Sequence, residues 1–428
     1  MSLEAWIVVD LGFGDAGKGT ITDFLVRERG AEWVVRFNGG AQAGHNVVTD
    51  DGRHHTFSQL GAGSFVPGVR SYLGPDFVLH PGALLEEARA LARVGIPDAF
   101  ERLYVDDGAL LVSPFQGAAT RLRELGRGDG RHGTTGVGIG EAVMDARAGR
   151  GLRAADIHRP RVLADALRAQ LQHVRTELAF TRALGDPRAA EEWRLLDDSD
   201  AVERTVLLWR EVAARLRVLP RDAARRLWSD ARSVVFEGAQ GVLLDQDAGF
   251  HPHTTWGDCT TRGARALLQG TGASVTSVGV TRAYATRHGE GPLPTEDEVE
   301  RPEPHNESDG WQGAFRSGPL DLVLLRTALR DAGGVDALAL THLDAVPEEV
   351  PLCDRYRGGL TALDASFRTR LAREGVVPEL EMVPRDELIP QLEARVRLPV
   401  VISGHGPAAS HKRWSRGSAA DQQKLPIG

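Results

Sequence analysis

Within nine residues, Gly12-Phe-Gly-Asp-Ala-Gly17-Lys18-Gly-Thr20 brings together glycines, a lysine and a carboxylate, a combination suited to handling phosphate. Glycines such as Gly14 and Gly17 let backbone N–H groups approach phosphate oxygens, and a helix starting at the end of the loop adds partial positive charge. Lys18 would reach the terminal phosphates. It is conspicuous because the chain has lysine only at 18, 412 and 424 among 51 basic residues. The spacing departs from the P-loop pattern: Gly19 stands where Ser or Thr would bind magnesium, and Thr20 comes one place late. A simple tight turn would also use such glycines. Asp15 is the unusual member, because a carboxylate beside phosphates is unfavourable unless it holds a metal or takes a proton. A second glycine-dense segment, Asn38-Gly-Gly-Ala-Gln-Ala-Gly44-His45-Asn46, offers an imidazole for general acid work. Taken alone, a histidine in such a loop is as often structural.

These groups need rigid elements behind them. AWIVVDLG is a short apolar run ending in glycine and ITDFLVRER follows with helical spacing, so the chain opens as strand, Gly-rich turn, helix. WVVRF, SYLGPDFVL, RLYVDDGALLV, SVVFEG, SVTSVGVTRAYA, ALALTHLD and LPVVISG read as further strands. GALLEEARALARVG and LDLVLLRTALRDAGG read as helices between them. The alternation predicts an α/β fold with a mostly parallel central sheet covered by helices on both faces. Residues 155–232, rich in Ala, Leu and Arg, read as a helical insertion, and 287–318 as a polar loop that is either a substrate lid or plain disorder. One domain is expected over 1–428, since α/β enzymes often hold this length around one sheet.

Apolar residues make up 42%, charged residues 26%, and the net charge is −8, the profile of an ordinary globular enzyme and a poor match for a nucleic-acid binder. Two cysteines, Cys259 and Cys353, are too few for a disulfide framework, and the N-terminus carries no basic leader, so a cytoplasmic protein is expected. No apolar run approaches the ~18 residues of a membrane span.

Seven blocks occur in the order and spacing of one enzyme family. They are residues 12–20, Gly44-His45, Gly133-Thr-Thr135-Gly-Val-Gly-Ile-Gly140, Phe236-Glu-Gly-Ala-Gln240-Gly-Val-Leu-Leu-Asp245, Arg282-Ala-Tyr-Ala-Thr-Arg287, Gly291-Pro-Leu-Pro-Thr-Glu296 and Thr341-His-Leu-Asp344. Through them the chain resembles the adenylosuccinate synthetases along nearly its whole length. The resemblance implies a ligase that phosphorylates the 6-oxygen of IMP with GTP and lets the amine of aspartate displace phosphate. It implies Asp15, His45 and Gln240 as the catalytic set: Asp15 as base toward the purine N1 proton and as Mg2+ ligand beside the Gly44 carbonyl, His45 as donor to the transferring phosphoryl group. Gly14, Gly17, Lys18, Gly19 and Thr20 would form a P-loop-like GTP site. Asp344 would read the guanine donors, with Ser403-Gly-His-Gly406-Pro407 packed against that base. Gln42, Thr134, Thr135, Gln240 and Thr255 would hold the nucleotide substrate, and a homodimer is implied because the family borrows an arginine across its two-fold axis.

The pattern breaks where the family grips aspartate. Its run Thr-Thr-Gly-Arg-Arg-Arg-Arg-Thr-Gly aligns with Gly310-Trp-Gln-Gly-Ala-Phe-Arg316-Ser-Gly318, so Trp311, Gln312 and Arg316 form the acceptor loop and one arginine is left. Each lost charge-assisted pair is worth about 1.5–3 kcal/mol. Val137 replaces another arginine near aspartate, and Gly149 aligns with the borrowed arginine, with Arg147 and Arg150 as stand-ins. Trp311 and Phe315 would suit a more apolar amine, a different ring, or a lid stacking on its ligand. Aspartate or another amine therefore remains open as donor. A regulatory GTP-binding homologue without catalysis, or a kinase that stops after phosphorylation, are the competing readings. A zinc site from His251, His253, Asp258 and Cys259 lacks ligand-pair spacing.

Overall fold

The computed structural model describes residues 2–299, 301, 303, 310–364, 368, 371 and 375–415. Chain order gives strands β1 (Glu4–Asp10), β2 (Trp33–Gly40), β3 (His45–Val48), β4 (His54–Phe57), β5 (Arg70–Leu79), β6 (Leu103–Asp106), β7 (Leu110–Leu111), β8 (Leu152–Arg153) and β9 (Arg217–Leu219). These are followed by β10 (Ser233–Glu237), β11 (Ser274–Arg282), β12 (Tyr284–His288), β13 (Phe315–Asp321), β14 (Ala337–Thr341), β15 (Glu349–Tyr356), β16 (Pro378–Pro384), β17 (Val400–Gly404) and β18 (Lys412–Trp414). The main sheet runs β18-β17-β14-β11-β1-β10-β2-β5-β6-β9, with β7 beside β5 and β8 beside β7. Its ladders are parallel except at β17/β18 and β7/β8. Central strands are buried on both faces, as in AWIVVD of β1, which is why they read as continuous apolar runs without alternation.

Helices cover both faces. Helix α1 (Lys18–Arg29) follows β1 directly, and helices at Pro81–Arg93, Pro114–Arg127, Pro160–Glu177 and Pro187–Asp197 each start on a proline, whose missing N–H costs nothing in a first turn. The expected helical insertion is narrower than 155–232. Within that span β9 pairs in parallel with β6, and Ala224 and Trp228 pack into the core beneath β1, β2 and β10. The alternation of a three-residue edge strand is too short to stand out from its helical surroundings.

A second sheet, β12-β13-β15-β16, was not expected from sequence. It corrects the polar loop at both ends, since residues 287–288 and 315–318 are hairpin strands pairing Arg287 with Arg316 and His288 with Phe315.

Candidate active site

The carboxyl ends of β1, β2, β10, β11, β14 and β17 lie along one edge of the sheet, where ligands bind in open α/β folds. The turns that leave these strands surround a cavity of about 1020 Å³, at the top of the range for single-ligand sites and roomy enough for more than one ligand.

The loop after β1 is shaped by its own strand end. Asp10 accepts N–H bonds from Gly12 (2.8 Å) and Ala16 (2.9 Å) and pairs with Lys18 Nζ at 3.0 Å, both side chains buried. Gly17 caps α1 at φ 92°, a conformation glycine adopts without strain. Thr341 Oγ donates to the Ala16 carbonyl (2.8 Å) and Thr20 Oγ to the Pro407 carbonyl (2.8 Å), which ties the loop to the ends of β14 and β17. Asp15 sits at φ 61°, a strained position for a residue with a side chain. Its side chain stays 32% exposed toward the cavity, with His288 Nε2 3.6 Å from Oδ2. Burial raises the Asp15 pKa, and the charges of His288, Lys18 and Arg282 oppose the rise.

Gly19 has a packing reason. A Cβ there would lie 2.8 Å from His45 Cβ and 3.0 Å from the His45 carbonyl carbon. The place that usually carries a magnesium-binding hydroxyl is given up so that β3 can press against the first turn of α1. His45 is thereby held beside the phosphate loop. Its Nδ1 lies 2.6 Å from Glu237 Oε1, and the carboxylate selects the tautomer that donates from Nδ1 and leaves Nε2 for a ligand. Glu237 Oε2 also accepts the Ala62 N–H (3.0 Å) and lies 3.9 Å from Arg36 Nε, with both side chains fully buried. Burial, then the charge of Arg36, pull the His45 pKa down to about 4, so the imidazole is neutral at pH 7.

The family model for adenylosuccinate synthetase matches residues 7–385. The chain belongs to the adenylosuccinate synthetase family. It is 36% identical to the adenylosuccinate synthetase of Paraburkholderia phymatum over 388 residues, covering 86% of this chain and 82% of the relative. It is 34% identical to that of Clostridium beijerinckii over 375 residues, covering 85% and 83%. Among solved structures it superposes on the fully ligated Plasmodium falciparum adenylosuccinate synthetase with a TM-score of 0.76 at 22% identity, covering 96% of this chain and 99% of that one. It also superposes on cyanophage S-2L succinoaminodeoxyadenylate synthetase bound to dGMP and dATP, with a TM-score of 0.56 at 19% identity and 99% of each chain covered. The protein is a GTP-dependent ligase that forms a C–N bond, with GTP as co-substrate and Mg2+ as cofactor. No helix of the described residues is long and apolar enough to cross a membrane.

Most residues singled out from sequence meet at this adenylosuccinate synthetase cavity: Gly14, Asp15, Gly17, Lys18, Gly19, Thr20, Gln42, Gly44, His45, Thr134, Thr135, Gln240, Thr255, Gln312, Asp344 and Gly406 all line it. Gln42 and Thr134 carry side-chain oxygens, Oε1 and Oγ, that are buried without a protein partner, an unusual state for a polar group. The cation fits too, because Mg2+ bound with phosphate oxygens and waters needs only one or two protein oxygens, and the open Asp15 carboxylate faces the cavity.

Four residues stand elsewhere. Ser403 is buried at the end of β17 and its hydroxyl bonds His405 Nε2 at 3.1 Å. Arg150 is held on Asp145 by Nε (3.1 Å) and Nη2 (2.9 Å). Its neighbour Arg147 takes the cavity wall, donating to Gln246 Oε1 (2.9 Å) with its guanidinium 5.1 Å from the Trp256 ring centre. Trp311 is not part of the cavity lining: half-buried, it packs beside Gly136 against the hydrophobic core, with the Arg188 guanidinium 5.5 Å from its ring centre. Arg316 is consumed internally, donating to the carbonyls of Gly289 and Gly291 and to Glu296 Oε2 at 2.7 Å. Sequence reasoning missed Glu237, Asp10, Arg36 and Lys412. The last donates to the carbonyls of Gly406, Pro407 and Ala408 (2.6–3.0 Å) and so holds the final loop in place.

Proposed function

We infer that this chain activates the 6-oxygen of a 6-oxopurine 5′-nucleotide, IMP being the family's example, and couples that carbon to an amine. The observation that carries the reading is the convergence of Asp15, the phosphate loop and the Glu237-backed His45 on one cavity. In this scheme the Asp15 carboxylate, open to the cavity, takes the N1 proton as general base. The oxygen so charged attacks the γ-phosphorus of GTP, the Pγ–O bond breaks, and GDP leaves. Bound Mg2+ supplies charge neutralisation on the phosphates, with Asp15 and the Gly44 carbonyl as its protein ligands. Lys18, the loop amides and His45 Nε2 spread charge over the transferring group. His45 is neutral in the free site, and arriving phosphates favour its protonation, so that it donates from both nitrogens. The amine lone pair then forms the N–C6 bond as the C6–O bond breaks, inorganic phosphate carries off the electron pair, and the spare amine proton passes to solvent.

Gln42, Thr134, Thr135, Gln240 and Thr255 are assigned to the substrate nucleotide, with Arg147 as the cation for its 5′-phosphate in place of Arg150. Asp344 is assigned to guanine N1–H and N2–H, which favours GTP over ATP, and Gly406 to the wall beside that base. A homodimer in the cytoplasm, each protomer one domain, completes the proposal. The test is phosphate release from GTP, which should require both a 6-oxopurine nucleotide and an amine and should fall at least a hundredfold in Asp15→Asn. Release that ignores the nucleotide would contradict the reading.

A further inference from the structure

This inference rests on the ligase reading above, which gives Thr134 and Thr135 to the substrate nucleotide, and concerns how their loop is joined to the turn that leads into β13. That turn, residues 310–314, is closed by the Gly313 N–H on the Gly310 carbonyl (3.2 Å) and fastened to the end of β12 by the Gly289 N–H, which donates to the Ala314 carbonyl at 2.9 Å. It lies backbone to backbone on the nucleotide loop. A Cβ at Gly133 would stand 3.1 Å from the Gln312 carbonyl oxygen, and one at Gly289 would overlap the same oxygen.

Two neighbours in the turn serve opposite sides. Gln312 lines the cavity together with Gly133, Thr134 and Thr135. Trp311 packs instead against the hydrophobic core that the helices Pro114–Arg127 and Pro187–Asp197 share. Its indole also grips the nucleotide loop at Gly136, where a Cβ would stand 3.1 Å from Trp311 Cγ on one side and 3.0 Å from Arg121 Cγ on the other. Arg121 completes the grip: Nη1 donates to the Gly136 carbonyl at 2.8 Å, while Nε and Nη2 are bidentate on Glu192 (2.5 and 2.6 Å). A guanidinium held in this way presents its remaining N–H in a fixed direction. The same loop is pinned at its start by buried Glu124, whose Oε2 accepts the His132 and Gly133 N–H groups, each at 3.1 Å. Contacts this close leave no slack, so a displacement of the nucleotide loop at Gly136 moves Trp311 and, one residue on, Gln312.

We propose that Trp311 is a positioning residue that bolts the turn on the amine side of the cavity to the nucleotide-substrate loop, so that each co-substrate raises the affinity for the other. A ligand that orders one loop orders both, and the second ligand then pays less conformational entropy. The coupling acts by the same factor in both directions.

The test uses the full chain with GDP and Mg2+, which fill the GTP site without a phosphoryl group to transfer, and titrates IMP calorimetrically with aspartate absent and saturating. Aspartate is expected to lower the Kd of IMP at least about fivefold. Trp311→Ala should abolish that factor while the Kd of GDP stays within about twofold, and Trp311→Phe, which puts a ring back beside Gly136, should restore most of it. A factor that survives Trp311→Ala, or is absent from the unchanged protein, would overturn the inference. A second measurement needs no variant: IMP alone should slow amide hydrogen exchange in residues 310–314 about tenfold, and exchange there that ignores IMP would also overturn it. Phosphate release from GTP that still requires IMP and aspartate would leave the ligase reading standing in either case, whereas release that ignores both would overturn the two together.

Discussion

Replacing Glu237 by Gln should uncouple His45 from its support, because both carboxylate oxygens accept N–H donors: His45 Nδ1–H at 2.6 Å and Ala62 N–H at 3.0 Å. A glutamine has one oxygen, so its NH2 must face one of these donors. Turned toward His45, it forces the other imidazole tautomer; turned toward Ala62, it leaves a buried N–H unpaired. The change also strips Arg36, fully buried, of its counter-charge. Removing one partner of a buried pair costs about 3–5 kcal/mol, a large part of a typical stability of about 5–15 kcal/mol. With an unfolding entropy of about 2.1 cal/mol/K per residue over 428 residues, that loss corresponds to a Tm lowered by roughly 3–6 °C. Loss of an oriented general acid should lower kcat about a hundredfold or more. Thermal unfolding of Glu237→Gln beside steady-state phosphate release measures both. A Tm within a degree of the unchanged protein together with kcat within twofold would refute the claim that Glu237 anchors His45.

Three further outcomes follow from specific contacts. Gly19→Ala should cost about 1–3 kcal/mol by overpacking and, by pushing on His45 at 2.8 Å, lower kcat at least tenfold with KM for GTP little changed; full activity would contradict the close approach. Arg147→Ala should raise KM for IMP about tenfold, the scale of one charge-assisted bond, without affecting use of inosine, while Arg150→Ala should leave KM for IMP where it is. Asp321, which caps the helix Leu322–Asp331, is raised by burial from 3.8 to about 6. Its share of stability is therefore full below pH ~4 and is lost as pH rises through 6, up to about 3 kcal/mol at 1.36 kcal/mol per pH unit. Urea unfolding of Asp321→Asn, which keeps the capping oxygen, should show the variant gaining on the original protein between pH 4.5 and 7, and parallel curves would refute the assignment.

The glycine-rich strand-to-helix turn and the apolar central strands could be read in advance because backbone conformation and burial leave local marks: glycines at positive φ, and unbroken Val/Ile/Leu runs. Asp10 and Glu237 also carry a local mark, an acid at the end of an apolar strand (WIVVD, SVVFE). The directions of Trp311 and Arg316 could not be read, since they depend on the register of β12 with β13 and on carbonyls 25 and 27 residues away. The same holds for Arg147, the last residue of its helix, against Arg150 three residues beyond it, of which only Arg150 finds Asp145. The second sheet was hidden because its strands are short and partly exposed, as in β16, where Val383 is the one buried residue.

The central claim is that the oxygen at C6 is phosphorylated and then leaves. IMP labelled with oxygen-18 at that position, incubated with GTP, Mg2+, a competent amine and the intact chain, tests it directly by mass analysis of the phosphate released. Each inorganic phosphate should carry one labelled oxygen and the aminated nucleotide none; unlabelled phosphate formed alongside product would contradict phosphorylation at that oxygen.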